Sequence, residues 1–298
     1  MYTHGMNTIK IAREFQNEEM CSDFLCQLRW RTNKKCPYCQ SDKVSIHKEK
    51  GRRSRLQCSA CKVSFSPTVN TMMHNSRVPL FKWLMAISML SEAKKSISSR
   101  QLARHLDLPV KTSYALSQRI RKGLLGTRSP LLKGIIEMDE TYIGGKPRYP
   151  HMAGVKRGRG TKKTMIVGAM ERGGNVIARM AKQYRGKNVR DMILENVDIE
   201  KSTIYSDEYG IYNKVGKLAP HGSVNHGRKQ YVKGDIHTNS IEGFWATVKR
   251  AWYGQHHHYT KKYTPLYIAE SAFKYNNRHN SSDEIFTNAM NAILCTSL

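Results

Sequence analysis

Three acidic positions, far apart in the chain, sit in settings suited to metal-dependent phosphoryl chemistry. Asp139 stands in Gly134-Ile135-Ile136-Glu137-Met138-Asp139-Glu140-Thr141-Tyr142, and Asp207 ends Ser202-Thr203-Ile204-Tyr205-Ser206-Asp207. Both segments read as apolar strands. His237-Thr238-Asn239-Ser240-Ile241-Glu242-Gly243-Phe244-Trp245, running on to Lys249, reads as the start of an amphipathic helix carrying Asn239, Glu242 and Lys249. Two strand-borne aspartates and a helix-borne third ligand are what a nuclease-type Mg²⁺ pair requires. A lone aspartate at a strand end is more often a turn or cap residue. The convergence of several acids on one site changes that balance.

The cysteines offer a second chemistry. Cys36-Pro37-Tyr38-Cys39 and Cys58-Ser59-Ala60-Cys61 are separated by eighteen residues, the spacing of a four-cysteine site for one structural Zn²⁺. Such a metal supplies folding energy that so short a segment cannot draw from its own core. Cys21, Cys26 and Cys295 lack ligand spacing and read as packed or surface thiols. The run Lys48, Lys50, Arg52, Arg53 and Arg55 between the cysteine pairs suits a phosphate-facing surface.

The catalytic positions depend on the elements that carry them. Side chains alternate faces along a strand, so Asp139 is expected to share a face with Glu137 and Thr141 and not with Glu140. On a helical wheel Ile241, Phe244, Trp245, Val248 and Trp252 make one apolar stripe, and Asn239, Glu242, Ala246 and Lys249 lie on a neighbouring face. Taken alone, Glu242 and Lys249 would be solvated flank residues of a core helix. Thr164–Met170 and Val176–Met180, joined by Gly173-Gly174, predict a hairpin meander with the first aspartate strand. A helix over about 187–197, a strand at 202–206 and helices from about 238 complete a β-β-β-α-β-α order, an α/β arrangement with a mixed sheet.

Upstream, residues 1–35 read as a helical lead-in with Phe15, Met20, Phe24, Leu25, Leu28 and Trp30 on its buried side. Residues 36–70 read as the zinc ribbon and 71–128 as a helical region. Within the latter, Ser96–Arg121 has the pattern of a helix-turn-helix. Ser98 and Gln101 suit a capping box, Asp107–Pro109 breaks the first helix, and Thr112 suits a cap for the second. That second helix would bring Lys111, Ser113, Gln118, Arg119 and Arg121 towards a groove. An ordinary helical pair packed on its neighbours shares the pattern. A Gly- and Pro-bearing linker near 125–133 leads into residues 129–298. Lys146 to Lys163 follows the Asp139 strand as a cationic loop with Arg148, Lys156, Arg157, Arg159 and Lys162 and no acid, suited to holding a phosphodiester.

Fifty Lys and Arg against twenty-three Asp and Glu give a formal charge of +27, an imbalance that a polyanion relieves. Nucleic acid is the natural partner. No apolar stretch long enough to span a membrane and no signal-peptide pattern is present, so an intracellular, cytoplasmic and nucleoid-associated protein is expected.

The Cys36–Cys61 ribbon, Met138-Asp139-Glu140-Thr141-Tyr142-Ile143-Gly144-Gly145-Lys146, Ser206-Asp207, and His237 to Trp245 with Lys249-Arg250 together resemble the IS1595-type (ISXO2-like) insertion-sequence transposases. The resemblance runs from about residue 20 to 280. It implies an RNase H-like DDE catalytic domain behind a zinc ribbon and a helix-turn-helix-like region. It implies two Mg²⁺ (or Mn²⁺) ions held by Asp139, Asp207 and either Glu242 or Asn239, with Lys249 on a phosphate. Chemistry favours Glu242 over a neutral amide as a ligand for a hard cation. The implied partner is double-stranded DNA, both terminal inverted repeats and target, and pairing two ends implies a homodimer or larger assembly on DNA. A catalytically inactive DNA-binding regulator, or transposase relic, is the alternative from another class.

Overall fold

The structure is a computed structural model that describes residues 7–30, 33–47, 54–127, 129–145, 161, 163–181, 186–212, 214–224, 232 and 234–296. The chain forms two compact units, Met1–Thr127 with His279–Leu298, and Arg128–Arg278.

The first unit starts with α1 (Thr8–Glu14) and α2 (Glu18–Arg29), each opened by an asparagine whose side chain accepts from a backbone N–H three residues on. Helix α2 buries Leu25 and Cys26, and Cys26 with Trp30 meets the ribbon core of Leu56, Phe65 and Val69. That ribbon is a three-stranded antiparallel sheet of β1 (Val44–His47), β2 (Arg55–Cys58) and β3 (Ser64–Phe65). Helix α3 (Leu80–Glu92) is mostly buried, and α4 (Ser99–Leu106) and α5 (Val110–Leu125) pack as a helical pair. Ser98 caps α4 by accepting from Gln101 N–H at 3.2 Å, and Asp107 ends it in the left-handed conformation at φ 47°. Thr112 does not cap α5. Pro109 precedes the first helical residue, Val110, and no side chain caps that end. Proline there needs no donor and sets the entry angle itself.

The second unit is built on one sheet. Strands β4 (Leu132–Ile143), β5 (Thr164–Glu171) and β6 (Val176–Met180) form the expected antiparallel meander. Its second turn has Gly173 at φ 77°, a conformation glycine adopts without strain. Helix α6 (Gly186–Asn196) then carries the chain to β7 (Val197–Asp207), which lies parallel to β4, and β8 (His221–Val224) adds in parallel outside β7. The sheet order is β6-β5-β4-β7-β8, a mixed five-stranded sheet of the RNase H-like class anticipated from the sequence. The sequence reading lacked β8. His-Gly-Ser-Val is too short and polar to show a period, and only its place beside β7 makes it a strand.

Each sheet face has its own core. Even-numbered residues of β4, among them Ile136 and Met138, pack with α6 residues Val189, Met192 and Ile193 and with Tyr212 and Val215. On the other face Ile166 and Met170 meet α7 (Asn239–Ala251) through Ile241, Phe244, Trp245 and Val248. That is the stripe read from the helical wheel. A π-helical turn, Trp252–His256, extends α7, and α8 (Thr264–Asn276) follows.

The last helix, α9 (Ser282–Cys295), opens on a Ser281–Glu284 capping box and packs on α3 and α5. The final twenty residues therefore belong to the first unit and not to a continuous 129–298 domain. Periodicity shows that α9 has an apolar face without showing which core covers it. Among the described residues, no helix is long and apolar enough to cross a membrane.

Candidate catalytic metal centre

Parallel pairing of β4 with β7 runs through Glu137↔Tyr205, so two residues further on Asp139 stands level with Asp207, the last residue of β7. The topology thus sets the two aspartates side by side, Asp139 within β4 and Asp207 at the end of β7. One carboxylate oxygen from each of Asp139, Glu140 and Asp207 lies within 4.8 Å of the other two. Glu140 corrects the expectation from strand alternation. Its side chain does lean to the α6 face, where the Tyr212 hydroxyl donates to Oε2 at 3.2 Å. But β7 ends at Asp207, so among the described residues no strand continues beside Glu140 on that edge of β4, and Asp139 folds back to accept from Glu140 N–H at 2.8 Å. At such an edge both side chains reach the same gap.

Three carboxylates in so small and shielded a space repel one another. Burial first, then Glu140 and Asp207, push the Asp139 carboxyl up to about 8, against the opposing Glu140 N–H, and Glu242 adds to the rise. Burial and the same three acids, Glu140 foremost, also hold the Tyr212 hydroxyl well above its ordinary value. A hard divalent cation relieves this repulsion, and an all-oxygen donor set of this kind fits one.

Helix α7 brings the third candidate position, and Glu137 holds its start. Glu137 is fully buried and accepts from Ser240 N–H at 2.8 Å, Ser240 Oγ at 2.9 Å and Ile241 N–H at 3.1 Å. Arg172 Nε pairs with the same carboxylate at 2.9 Å and reaches the carbonyls of Asp235 and His237. A carboxylate on the first backbone N–H groups of a helix satisfies donors that have no intrahelical partner and complements the helix dipole. The strand that carries Asp139 therefore also grips the helix that carries Asn239 and Glu242. One turn further along α7, Trp245 lies over Gly168, the β5 residue opposite Asp139, so closely that a Cβ there would meet the indole at 2.6 Å.

Glu242 is exposed, close enough to Asp139 to act on it electrostatically, and accepts from Thr238 Oγ1 at 3.3 Å. It is not one of the three acids in the tight cluster. Asn239 is exposed at the first position of α7, where its N–H donates to His237 Nδ1 at 3.4 Å. Lys249 and Lys163 line a cleft of about 310 Å³ that Glu140, Thr141, Trp252 and Tyr253 also border. Two cations thus flank the acids from different elements. Lys156, Arg157, Arg159 and Lys162, with Lys146 and Arg148, lie outside the described residues.

In the ribbon, the Sγ atoms of Cys36 and Cys61 are 3.7 Å apart and those of Cys39 and Cys58 are 3.6 Å apart. A tetrahedral Zn²⁺ with Zn–S of about 2.3 Å implies S–S edges of about 3.8 Å, so the four thiols fit such an ion. Cys61 N–H, opposed by burial and aided by Ala60 N–H, brings the Cys58 thiol down to about 6, towards the thiolate that a metal needs. Cys21 and Cys26 are buried and Cys295 is exposed, all outside the cluster. Arg55 is exposed on β2, whereas Lys48, Lys50, Arg52 and Arg53 lie outside the described residues.

The basic face read onto the second helix of the pair needs correction. Lys111 is exposed, but Arg121 is 1 % exposed and Ser113 and Gln118 are also buried. Arg119 donates to the His74 carbonyl at 2.6 Å and lies over Trp83. Arginine stems are long enough to enter a core when carbonyl or aromatic partners await the guanidinium. Arg119 and Arg121 therefore serve the helical core, and of the basic positions read onto this helix Lys111 remains for a surface role.

The sequence reading gave no role to Glu140, Glu137 or Arg172. An acid two places before Asp139 in an otherwise apolar strand was the available signal for Glu137. Arg172, just before the Gly-Gly turn, gave none.

Residues 131–276 match the family model of the ISXO2-like transposase domain, and residues 16–64 match the model of the transposase zinc-ribbon domain. A curated relative, an uncharacterized protein in transposable element ISH50 of Halobacterium salinarum, is 29% identical over 269 residues, covering 86% of this chain and 90% of its own. Among solved structures, the Mos1 strand transfer complex aligns with 71% of this chain and 74% of its own at TM-score 0.30 and 11% identity. A pre-cleavage Mos1 transpososome aligns at TM-score 0.26 and 12% identity, covering 71% and 75%. Likeness at that level adds nothing to the fold argument, which rests on the sheet topology.

Proposed function

Since the chain belongs to the IS1595 (ISXO2-like) family of insertion-sequence transposases, we propose that it cuts DNA at element ends and joins the freed 3′-hydroxyls to target DNA. The observation that carries this reading is the pair of aspartates on adjacent parallel strands, Asp139 and Asp207, held side by side with Glu140 in a chain that matches a transposase domain. In hydrolysis, water oxygen bonds to the scissile phosphorus and gives up a proton, the P–O3′ bond breaks, and the departing 3′-oxygen takes up a proton. In joining, the new 3′-hydroxyl oxygen bonds to a target phosphorus and loses its proton, while the target 3′-oxygen leaves and is protonated.

Asp139 and Asp207 would hold a pair of Mg²⁺ or Mn²⁺ ions, with Glu242 or Asn239 as the third ligand and Glu140 beside them. Bound there, divalent ions supply activation of the attacking oxygen and stabilisation of the leaving one. Lys249 and Lys163 place positive charge beside the reacting phosphate, which positions the diester and offsets charge that builds on it. Glu137 and Arg172 keep the Asn239–Glu242 turn against the strand of Asp139. Four cysteines would hold one Zn²⁺, and Lys111 with the Lys156–Lys163 loop would contact duplex DNA. Pairing two element ends calls for at least two copies of the chain on DNA.

The test is nicking and plasmid joining of a labelled DNA carrying the element end, with and without Mg²⁺. Asp139→Ala and Asp207→Ala should each abolish both products. Normal nicking by either variant sinks the assignment.

A further inference from the structure

On the α6 face of the sheet, next to the acidic cluster, a groove of about 940 Å³ runs between α6 and the two 3₁₀ turns that follow β7, Gly210–Tyr212 and Val215–Lys217. Lys187 and Arg190 from α6 and Lys214 and Lys217 from the turn segment line it, and Asp191 is the one acid in its lining. All four cations are exposed, and among the described residues none has an ion-pair partner. The groove begins at the cluster itself, because Tyr209 N–H donates to Asp207 Oδ1 at 3.0 Å and Tyr209 forms part of the wall.

We propose that this groove is a binding site for a single DNA strand that runs from the acidic cluster over the α6 face. The proposal rests on the reading of the chain as a DNA-cutting enzyme. Four cations contributed by two separate segments to a groove of this size suit a chain of phosphates and not one small anion. The lining between them is apolar, which suits the sugars and base faces of an unpaired strand. Single-strand sites combine those two features. A duplex presents its phosphates outside and its bases hidden, and gains nothing from an apolar floor. The cleft lined by Lys249 and Lys163 takes the scissile phosphate, and this groove takes the strand beyond it.

The experiment uses the full-length, zinc-loaded protein and fluorescence anisotropy over a salt series. One probe is a blunt duplex and the other the same duplex with a single-stranded tail. Lys214→Ala/Lys217→Ala is compared with Lys133→Ala/Lys201→Ala, an equal charge loss on exposed residues elsewhere in the same unit. Loss of two single-strand phosphate contacts should lower the slope of log K against log salt by about 1.4 on the tailed probe. The control pair should leave that slope unchanged, and the blunt duplex should bind both variants alike. An unchanged slope for Lys214→Ala/Lys217→Ala, an equal fall in the control, or an equal fall on blunt duplex overturns the groove. Wild-type protein that fails to nick end DNA sinks the proposed function instead, while these binding slopes still decide the groove.

Discussion

Replacing Glu137 tests whether strand β4 holds both the aspartate and the helix of the site. The carboxylate is 0 % exposed and receives Arg172 Nε, two backbone N–H groups of α7 and the Ser240 hydroxyl, all between 2.8 and 3.1 Å. Breaking a buried ion pair by removing one member costs about 3–5 kcal/mol. Arg172 keeps the Asp235 and His237 carbonyls and is partly solvated, which places its share at the low end. The stranded N–H groups of Ser240 and Ile241 add about 1 kcal/mol each. Glu137→Ala should therefore destabilise the second unit by roughly 5 kcal/mol, a melting shift on the order of 10–20 °C for a domain of this size. Glu137→Gln keeps an acceptor and the side-chain shape, and should lose less than half as much. Hydrogen exchange read by mass spectrometry, beside calorimetry, locates the loss. In Glu137→Ala the amides of Ser240 to Phe244 should exchange faster than those of β4, and magnesium-dependent nicking should fall further in Ala than in Gln. A melting temperature within about 2 °C of wild type, with α7 still protected, would refute the argument.

The raised Asp139 carboxyl gives a pH signature in zinc-loaded protein without added magnesium. Asp139 keeps its proton up to about 8 when folded, against an ordinary value of 3.8, so across that window the folded chain binds the extra proton. Its contribution is then full below the ordinary value and is lost as pH rises towards 8. Denaturation curves should show Asp139→Asn gaining stability over wild type as pH increases from 4 to 8, and a constant difference contradicts this. Removing zinc with a chelator, or Cys58→Ala, should expose the β1 and β2 amides to exchange, because the apolar cluster of Leu56, Phe65 and Val69 with Cys26 and Trp30 is small for three strands; unchanged protection argues against a structural ion. Gly168→Ala forces the Trp245 indole off β5, at about 1–3 kcal/mol, and should shift tryptophan emission and lower nicking together; unaltered emission means that α7 does not rest on that contact. For the third ligand, Glu140→Gln, Glu242→Gln and Asn239→Ala should differ in the magnesium concentration for half-maximal nicking, with the true ligand showing a rise of tenfold or more; three equal values would remove all of them from the metal.

What could be read from the sequence was whatever depended on local pattern or on chemical type. The strands of Asp139 and Asp207 and the apolar stripe of α7 are periodic, and the cysteine pairs announce themselves by spacing. Alternation places Glu140 away from Asp139 because it sorts side chains by face and takes no account of where the neighbouring strand stops. Glu137 could be seen as a charge in an apolar strand, but its partners are Ser240 and Ile241, over a hundred residues away. The helix-turn-helix pattern points Arg119 and Arg121 towards a groove, although their guanidinium groups lie within reach of His74 and Ser96 in the helical unit. The same limit applies to β8 and α9. Each exists because of the surface that it covers, β7 for the one and α3 with α5 for the other.

These observations give the acidic cluster a structural logic. Asp139, Glu140 and Asp207 destabilise the metal-free fold by their mutual repulsion, so the sheet must hold them against it. Glu137 sits on the same strand and also carries negative charge in a buried place, yet it is fully compensated by Arg172 and by the start of α7. Its network fixes the backbone two residues from Asp139 at the point where the α7 helix meets the sheet. Compensation at Glu137 and frustration at Asp139 are therefore adjacent parts of one strand, the first giving rigidity to the second. Weakening the clamp should relax the repulsion by letting the acids drift apart, and the metal-free protein would then lose less stability as pH rises. Glu137→Gln combined with Asp139→Asn tests this: the two changes should be non-additive in stability at pH 8, whereas simple additivity would separate the clamp from the cluster.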